Sequence, residues 1–527
     1  MALALWGCRA LKPGTDFGPV DGASREAGAT DGPSLDTSAD AAPDAAPDRA
    51  EAPGEVSLDG ARDASVDVAP DRGDAASGEV APPPDVSLDA PTGPRLTLAV
   101  RVGNARNDQG RAIHVDGGGM ILLAGFFEGL LRFPGLSDAL SLGGEDGFVA
   151  LFTPDGHPRW ARRIGGPGND RALDVATDSA DNVYVTGYFR DTVNLPGAAL
   201  NAIGLTDLYL ISYTRDGTFR WARQLGTPGY DLGTRVAVAF GGGSDAVYVL
   251  GAQGLGFLPG VTAPVLGPSA IVVTRFTPEG ETPRSETWSS TGIAVPQGLT
   301  VTSDRRLVVS GAFSGMMTLG AAGMLTADTG TGLFVAGLNE PGIASWARRV
   351  STTVAGTELA EAVVAADDAG RSYVAGSLSG TDYLRGELSP RAGANRDLFF
   401  AQLEASGASR SNMLSVAPGS QYLGGIAYGR EGQLHFAGSF NPTADLGPPA
   451  LTSAGDLDVL VGGLPAALGA PRWVRRYGGP GADEATDVVS VPGGAVVTGY
   501  FSDTMVTEAG TLTSMGGTDI FLLRFAE

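Results

Sequence analysis

The stretch WARRIGGPGNDRALDVATDSADNVYVTGYF, residues Trp160 to Phe189, returns near the end of the chain as WVRRYGGPGADEATDVVSVPGGAVVTGYF, residues Trp473 to Phe501. Less similar copies of the same sequence occupy the chain from residue 95 onward. A glycine after an apolar run marks each copy, and its spacings are 62, 64, 60, 65, 62 and 61 residues. The seven marker positions are Gly125, Gly187, Gly251, Gly311, Gly376, Gly438 and Gly499. A period this regular indicates a repeat architecture of seven units.

Each repeat contains four short runs with strand character. In the copy around Gly187 they are ALDVATD, NVYVTGYF, DLYLISYT and FRWARQLG. The turn Arg215-Asp216-Gly217 separates the last two runs, and an Asp-Gly pair between β-rich runs predicts a hairpin. Four strands per unit and seven units are typical of a β-propeller. We therefore predict an all-β fold, a single seven-bladed propeller over residues 95–527.

The first and last copies are incomplete in complementary ways. The last copy ends at its third strand, which begins at Asp519, while LTLAVRVG (residues 96–103) stands before the first copy as an isolated fourth strand. In that strand Leu98 occupies the position of the tryptophan. We predict that the N-terminal strand completes the last blade, which leaves no free sheet edge.

The region before the propeller differs sharply in composition. Residues 9–94 hold 18 Asp and Glu against 6 Lys and Arg, with Phe17 as their single aromatic residue. Such a segment buries too little apolar surface to offset the entropy of ordering, so we predict a disordered acidic linker. It is interpreted either as a tether or as a filler of biased composition.

Cys8 is the only cysteine, so no internal disulfide is expected. The residues Leu5-Trp6-Gly7-Cys8 resemble the lipobox of bacterial lipoproteins, in which the cysteine carries the lipid. Residues 1–8 are accordingly interpreted as a truncated lipoprotein-type signal, with an incidental cysteine as the alternative. Arg9 stands where an aspartate would signal inner-membrane retention, which favours the outer membrane.

Large and acidic residues recur at fixed places in the repeat. Aromatic residues at one repeated place more often pack between blades than bind ligands. Short carboxylates beside turns commonly accept hydrogen bonds from turn amides. We therefore interpret both groups as structural, with metal or ligand contact as the alternative. They comprise Trp160, Trp221, Trp346 and Trp473 on the fourth strand, and Asp146, Asp207, Asp397, Asp458 and Asp519 before the third.

The phrase GGPGND, followed by NVYVTGYF, DLYLISYT and WARQLG, resembles the seven-bladed β-propeller repeat family of bacterial surface proteins. This resemblance covers about residues 95–527. It implies a propeller, export and often a lipid anchor, and it implies no defined catalytic residues. The Asp-Gly turn before tryptophan is also similar to quinoprotein propellers, over too few residues to imply their cofactor. We expect no cofactor.

Charge and motif content reduce the number of function classes that fit this chain. The formal net charge of −23 argues against nucleic acid, which requires clustered cations. The three histidines, His114, His157 and His435, form no spaced metal or catalytic motif, and no nucleophile elbow or phosphate loop is present. An enzyme of the glycoside hydrolase or lyase type would need carboxylates assembled around the central axis, which spacing alone does not exclude.

We predict a monomeric, exported, lipid-anchored binding scaffold for a surface protein or polysaccharide on a Gram-negative cell. A propeller enzyme and a purely structural envelope protein are the alternatives. We expect a ligand site where a copy departs from the repeat pattern. The alternative is that these departures reflect sequence drift and have no function. The candidate positions are Phe257 in the apolar loop of the third copy, Ser411 in the tryptophan place, Gln421 in the aspartate place, and Tyr422 beside it.

Overall fold

A computed structural model describes residues 93–255, 269–281, 283–339, 342–353, 361–378, 380–382, 395–415 and 417–526. The predicted all-β fold is confirmed, because these residues form 33 strands and one short 3-10 helix, Gly320–Ala322. Cys8, Phe257 and residues 9–92 of the predicted linker lie outside the described residues. No helix within the described ranges has the length and apolar character needed to cross a lipid bilayer.

The strands of the first half of the ring are, in chain order, β1 (Arg95–Val102), β2 (Asp108–Val115), β3 (Ile121–Leu131), β4 (Ala139–Phe152), β5 (Pro158–Ile164), β6 (Arg171–Thr177), β7 (Val183–Phe189), β8 (Thr192–Leu195), β9 (Ala198–Asn201), β10 (Asp207–Tyr213), β11 (Phe219–Leu225), β12 (Tyr230–Ala239), β13 (Ala246–Leu255), β14 (Ala270–Phe276) and β15 (Arg284–Ser289).

The second half continues with β16 (Ala294–Val301), β17 (Leu307–Thr318), β18 (Met324–Asn339), β19 (Ile343–Thr353), β20 (Glu361–Ala366), β21 (Ser372–Leu378), β22 (Gly380–Asp382), β23 (Asp397–Leu403), β24 (Ser409–Leu414), β25 (Ser420–Gly429), β26 (Gln433–Asn441), β27 (Thr443–Ala444), β28 (Leu451–Thr452), β29 (Asp458–Pro465), β30 (Trp473–Tyr477), β31 (Asp483–Val491), β32 (Gly494–Thr507) and β33 (Gly510–Ala526).

Seven antiparallel sheets form the seven blades, which confirms the predicted blade number. Blade 1 is β2-β3-β4-β5, blade 2 is β6-β7-β10-β11, blade 3 is β12-β13-β14-β15 and blade 5 is β20-β21-β23-β24. Blade 6 is β25-β26-β29-β30. Blade 4, β16-β17-β18-β19, gains β22 as a fifth strand, a small addition that the sequence did not predict. Two-stranded hairpins, β8-β9 and β27-β28, stand apart from the blades.

The ring closes through its N-terminal strand, as the incomplete end copies predict. Strand β1 pairs antiparallel with β33, in the sheet order β1-β33-β32-β31 that makes blade 7. The register places Leu98 opposite Arg524. An ion pair of 2.6 Å between Arg101 Nη1 and Asp519 Oδ2 joins the two chain ends across 418 residues of sequence. The first residues of the propeller are therefore needed to complete its last sheet.

The apolar core consists of layers between adjacent blades. One layer joins Leu151 of blade 1 to Val185 and Tyr209 of blade 2. Another joins Leu123 of blade 1 to Leu522 of blade 7. Each blade therefore buries its faces against its neighbours, as a repeat unit that cannot form a core alone must do.

Candidate functional site

The repeated tryptophan joins blades 1, 2 and 4 to the blade that follows each of them, in a contact that we call the tryptophan clamp. Trp160 lies on the fourth strand of blade 1, and its indole N–H donates to the carbonyl of Arg215, in the last hairpin turn of blade 2, at 2.9 Å. The turn glycine, Gly217, has a φ of +79°, and a Cβ placed on it would lie 2.7 Å from the Trp160 ring. The turn therefore needs glycine both for its backbone and for the close approach of the indole. The same contact recurs from Trp221 to Pro278 at 3.0 Å and from Trp346 to Ala405 at 3.0 Å.

Blade 7 has no such turn, because its third and fourth strands come from opposite ends of the chain. Trp473 of blade 6 meets Gly93 there instead, and its ring packs on Phe525 with centroids 5.8 Å apart. The Trp473 indole nitrogen is buried and has no hydrogen-bond partner among the described residues. The junction of blades 6 and 7 thus lacks the bond that Trp160, Trp221 and Trp346 make.

In blades 5 and 7, where Ser411 and Leu98 replace the tryptophan, the residue opposite it on the third strand supplies the donor. Ser411 pairs with Gln402, whose Nε2 donates to the carbonyl of Ala466 in the turn of blade 6 at 3.2 Å. Leu98 pairs with Arg524, whose Nη1 donates to the carbonyl of Pro154 in blade 1 at 2.5 Å. The structure thus places Ser411 at an interface between blades, where Gln402 takes over the bond of the missing indole.

The repeated aspartates brace the start of the third strand. Asp146 Oδ2 accepts from Arg163 Nη1 at 2.9 Å and from the amide of Leu142 at 3.2 Å. Burial raises the pKa of Asp146, Asp458 and Asp519. The corresponding contacts are Gln224 to Asp207 at 2.5 Å, Arg476 to Asp458 at 2.7 Å, Arg101 to Asp519 at 2.6 Å, and the amide of Ala417 to Asp397 at 3.2 Å.

The central axis brings together charged side chains that the sequence analysis did not single out. A β-bulge interrupts the innermost strand of six blades at the same place, after Gly110, Ala172, Gly233, Pro296, Leu423 and Ala485. The cavity that it borders has a volume of only about 50 Å³. Its lining includes Arg111, Arg235, Gln297, Glu361, Tyr422, Glu484 and Thr486.

Two further aspartates, both half-buried, directly follow the bulge on the innermost strands of blades 2 and 7. Asp174 Oδ2 accepts from the amide of Val236 in the next blade at 2.7 Å, and Asp487 Oδ2 accepts from the amide of Ile113 at 2.9 Å. Burial raises the pKa of Asp174 to about 7, and that of Asp487 to about 6. The positive charge of Arg235 opposes both shifts. These carboxyls join the inner strands of neighbouring blades and titrate near neutral pH.

The three predicted ligand residues that the structure describes, Ser411, Gln421 and Tyr422, do not form one site. Tyr422 lines the axial cavity, with the guanidinium carbon of Arg396 lying 5.3 Å from its ring centroid. Gln421 is fully buried, and its side-chain oxygen accepts from Ser415 Oγ at 2.8 Å. Ser411 lies on the outermost strand of blade 5. Of the departures from the repeat, only Tyr422 therefore reaches a described cavity.

The histidines contact nearby hydroxyl and carboxylate groups. His114 Nε2 lies 2.9 Å from Thr177 Oγ1, and His435 Nδ1 lies 2.5 Å from Ser490 Oγ. Burial lowers the pKa of both histidines to about 4. His157 Nδ1 lies 3.0 Å from Asp155 Oδ2 in an exposed turn. Across the described ranges, no three His, Cys, Asp or Glu side chains converge as a metal site would require.

A much larger open groove runs between blades 1 and 2, with a volume of about 910 Å³. It borders the Trp160 clamp and carries three arginines, Arg159, Arg162 and Arg215. The RWARR run that begins β5 supplies two of them, which is the sequence signal that could have revealed this groove. Its remaining lining includes Met120, Leu136, Ser137, Leu151, Asn182, Thr214 and Asp216.

A family model described as the beta-propeller repeat matches residues 159–188, which lie in this same part of the chain. The chain carries this repeat. The resemblance drawn from GGPGND and the strands around it is therefore confirmed for the repeat and the propeller fold.

Other similarities are distant. An uncharacterized WD repeat-containing protein of Acanthamoeba polyphaga mimivirus is 23% identical over 177 residues, which cover 28% of this chain and only 12% of that protein. Among solved structures, the polysaccharide lyase Uly1 has a TM-score of 0.42 and 10% identity, covering 81% of this chain and 91% of the lyase. The propeller domain of the Trilobed protease from Pyrococcus furiosus has a TM-score of 0.36 and 8% identity, covering 78% and 96%. A europium-containing methanol dehydrogenase has a TM-score of 0.37 and 9% identity, covering 78% and 81%.

Proposed function

We propose that this propeller is a non-catalytic binding scaffold and that its ligand binds on the outer surface between blades. One contrast carries the proposal: the axial cavity measures about 50 Å³, whereas the groove between blades 1 and 2 measures about 910 Å³. A water molecule needs roughly 10 to 15 Å³ of such space, and ligand pockets usually span about 300 to 1,000 Å³. The axial cavity has room for a few water molecules, and the groove has room for a ligand.

The contacts of the repeat support the same proposal. The indoles of Trp160, Trp221 and Trp346 are committed to turn carbonyls of the following blade. The carboxylate of Asp146 is committed to an arginine and a backbone amide of its own blade. The repeated tryptophans and aspartates thus serve the ring, and a ligand is left to contact other residues.

A propeller enzyme is the second candidate, and the axial carboxyls are the observation that favours it. Asp174 and Asp487 have pKa values of about 7 and 6, which suit proton transfer near neutral pH. Both carboxyls accept backbone hydrogen bonds from the next blade, which supports a role in joining blades rather than in chemistry.

We further propose that the protein is exported and anchored through a lipid on Cys8, which would display the scaffold on the cell surface. Metabolic labelling with an alkyne fatty acid tests this anchor. The full-length protein should take up the label in its host, and Cys8→Ser should not. Equal labelling of both proteins would exclude Cys8 as the lipidated residue.

Screening of the full chain on a glycan array, together with capture of envelope proteins, tests the binding function. Binding of a specific glycan would support a scaffold. So would a defined envelope protein that is captured by the immobilised propeller and, when immobilised itself, captures the propeller. Release of shortened glycan products would instead identify the enzyme. Failure to bind in either assay would favour a purely structural envelope protein.

A further inference from the structure

We infer that the groove between blades 1 and 2 binds an acidic polysaccharide whose sugar units carry carboxylates. This inference rests on the proposed binding function and assigns its ligand class. The first observation is charge: the lining carries three arginines and one aspartate in a chain of formal net charge −23. Asp116 and Asp181 pair with Arg215, so the positive charge open to a ligand is that of Arg159 and Arg162, and arginines without a carboxylate partner favour anionic ligands.

Two of the three arginines have no carboxylate partner among the residues that the structure describes. Arg159 is exposed on β5 and makes no hydrogen bond or ion pair with the described residues. Arg162 donates only to carbonyls, from Nε to Gly217 at 2.7 Å and from Nη1 to Ala161 at 2.8 Å, and its guanidinium carbon lies 5.5 Å from the Trp160 ring centroid. These contacts hold the Arg162 guanidinium in place while its charge stays uncompensated. A fixed planar guanidinium is suited to binding a carboxylate through two hydrogen bonds.

The third arginine is already neutralised by its neighbours. Arg215 pairs with Asp116 at 3.4 Å and with Asp181 at 3.2 Å. Its part in the groove is therefore structural, since its carbonyl also receives the Trp160 indole. The anionic groups of a ligand are left to Arg159 and Arg162.

The neutral part of the lining favours a sugar polymer over an acidic peptide. Ser137 supplies a hydroxyl group, and Leu136 and Leu151 supply apolar surface in the same groove. The Asn182 amide and the Thr214 hydroxyl also line the groove but are bonded to Asp178 and Asp216. A pyranose ring presents hydroxyls at its edge and C–H groups on its face, and a uronate adds the carboxylate. One such unit thus matches all three kinds of group in the lining.

The neighbouring junction provides a matched control. Between blades 2 and 3, Arg223 donates from Nε to Gly280 at 2.6 Å and lies 5.3 Å from the Trp221 ring centroid. These contacts repeat those of Arg162, whereas the facing turn holds Pro278 and Glu279 in place of Arg215 and Asp216. Arg223→Ala therefore removes the same interblade contacts outside the groove.

The experiment measures the affinity of the full chain for polygalacturonate oligomers, with the carboxyl-reduced oligomers and polyglutamate as comparison ligands. We expect polygalacturonate to bind, and Arg159→Ala to weaken it about tenfold, as loss of a charged hydrogen bond does. Arg159→Glu should abolish binding, Arg223→Ala should leave it unchanged, and added salt should weaken it.

Three results would overturn the assignment. Unchanged binding by Arg159→Glu would place the ligand elsewhere. Equal binding of carboxyl-reduced oligomers would remove the role of charge, and equal binding of polyglutamate would identify an acidic polypeptide as the ligand. A glycan or protein partner that binds Arg159→Glu as tightly as it binds the wild-type protein would refute the ligand assignment but support the scaffold function. Cleavage of a glycan would refute the scaffold function itself.

Discussion

Gln402 donates a hydrogen bond to the carbonyl of Ala466 across the interface of blades 5 and 6, at 3.2 Å. The same amide nitrogen lies 2.8 Å from the hydroxyl of Tyr373. In blade 4 the corresponding cross-strand pair is Gly337 and Trp346, and there the indole makes the interblade bond. The donor has therefore moved from the fourth strand to the third, while the acceptor has stayed in the turn of the following blade.

Replacing Gln402 should weaken the protein more than replacing Ser411. Gln402→Ala removes the donor to Ala466, and we expect it to lower the free energy of unfolding by about 1 to 2 kcal/mol. Ser411→Ala, the control, should lower the free energy of unfolding by less than about 0.5 kcal/mol. The hydrogen bond that it removes is weak, because Ser411 Oγ lies 3.5 Å from Gln402 Oε1. Urea unfolding measures both values. The double change Gln402→Gly with Ser411→Trp should recover stability, and a double variant no better than Gln402→Gly alone would refute this account.

The two nearly identical copies should respond differently to loss of the indole N–H. Trp160 and Trp473 are similarly buried, at 7% and 6% exposure, but only Trp160 has an acceptor. We expect Trp160→Phe to cost about 1 kcal/mol more than Trp473→Phe in the free energy of unfolding. Denaturation of the two variants side by side measures this difference. Equal losses would show that packing of the ring, rather than its N–H, accounts for the clamp.

Removal of residues 95–104 should abolish cooperative unfolding, because these residues include all of β1. The deletion exposes the edge of β33 and removes the ion pair between Arg101 and Asp519. Calorimetry should show a broad or absent transition in place of a single peak. Deletion of residues 9–90 serves as the control and should leave the transition temperature unchanged if the predicted domain boundary is right. A truncated protein that melts like the intact one would contradict the closure of the ring as a requirement for folding.

Stability should fall as the pH rises from about 4 to about 7. Burial raises the pKa of Asp174 to about 7 and that of Asp487 to about 6, from an ordinary value of 3.8. The native state therefore holds more protons than the unfolded state in this window, so each unit of pH costs up to about 1.4 kcal/mol per group. Urea midpoints at pH 5 and pH 8 should show the higher stability at pH 5.

Asp487→Asn identifies the source of this dependence. The amide keeps an oxygen that can accept from the amide of Ile113 but does not titrate, so the variant should show a flatter pH profile. Asp155→Asn, in an exposed turn, should keep the profile of the wild-type protein. A variant at position 487 with an unchanged profile would assign the effect to other buried carboxyls, among them Asp108 and Asp483, whose pKa values burial raises to about 8.

The sequence predicted the seven blades, their four strands and the closing β1. Each of these depends on a pattern within one copy or on the incomplete copies at the two ends of the repeat region. It did not predict the partners of the repeated residues. The acceptor of Trp160 lies 55 residues further along the chain, in a turn that comes close only when two blades pack. The role of Gln402 likewise depends on the register of β23 and β24.

The candidate sites were harder to predict for a related reason. Departure from the repeat drew attention to Ser411, Gln421 and Tyr422, but the structure separates Ser411 from the axial cavity that Tyr422 lines. The groove arises beside a copy that matches the repeat closely. Arg215 occupies a turn position that holds proline or alanine in some other copies, and it lines the same groove as Arg159 beside the Trp160 clamp. Those two arginines line one groove only because blades 1 and 2 pack side by side.

The tryptophan clamp also bears on how such a ring changes its size over evolution. Donor and acceptor belong to different copies, since Trp160 of blade 1 reaches Arg215 of blade 2 and Trp221 of blade 2 reaches Pro278 of blade 3. One copy therefore carries half of each of two interfaces, an acceptor toward the preceding blade and a donor toward the following one. Duplication or loss of a whole copy leaves every donor with an acceptor, so the number of blades can change without a new interface having to arise.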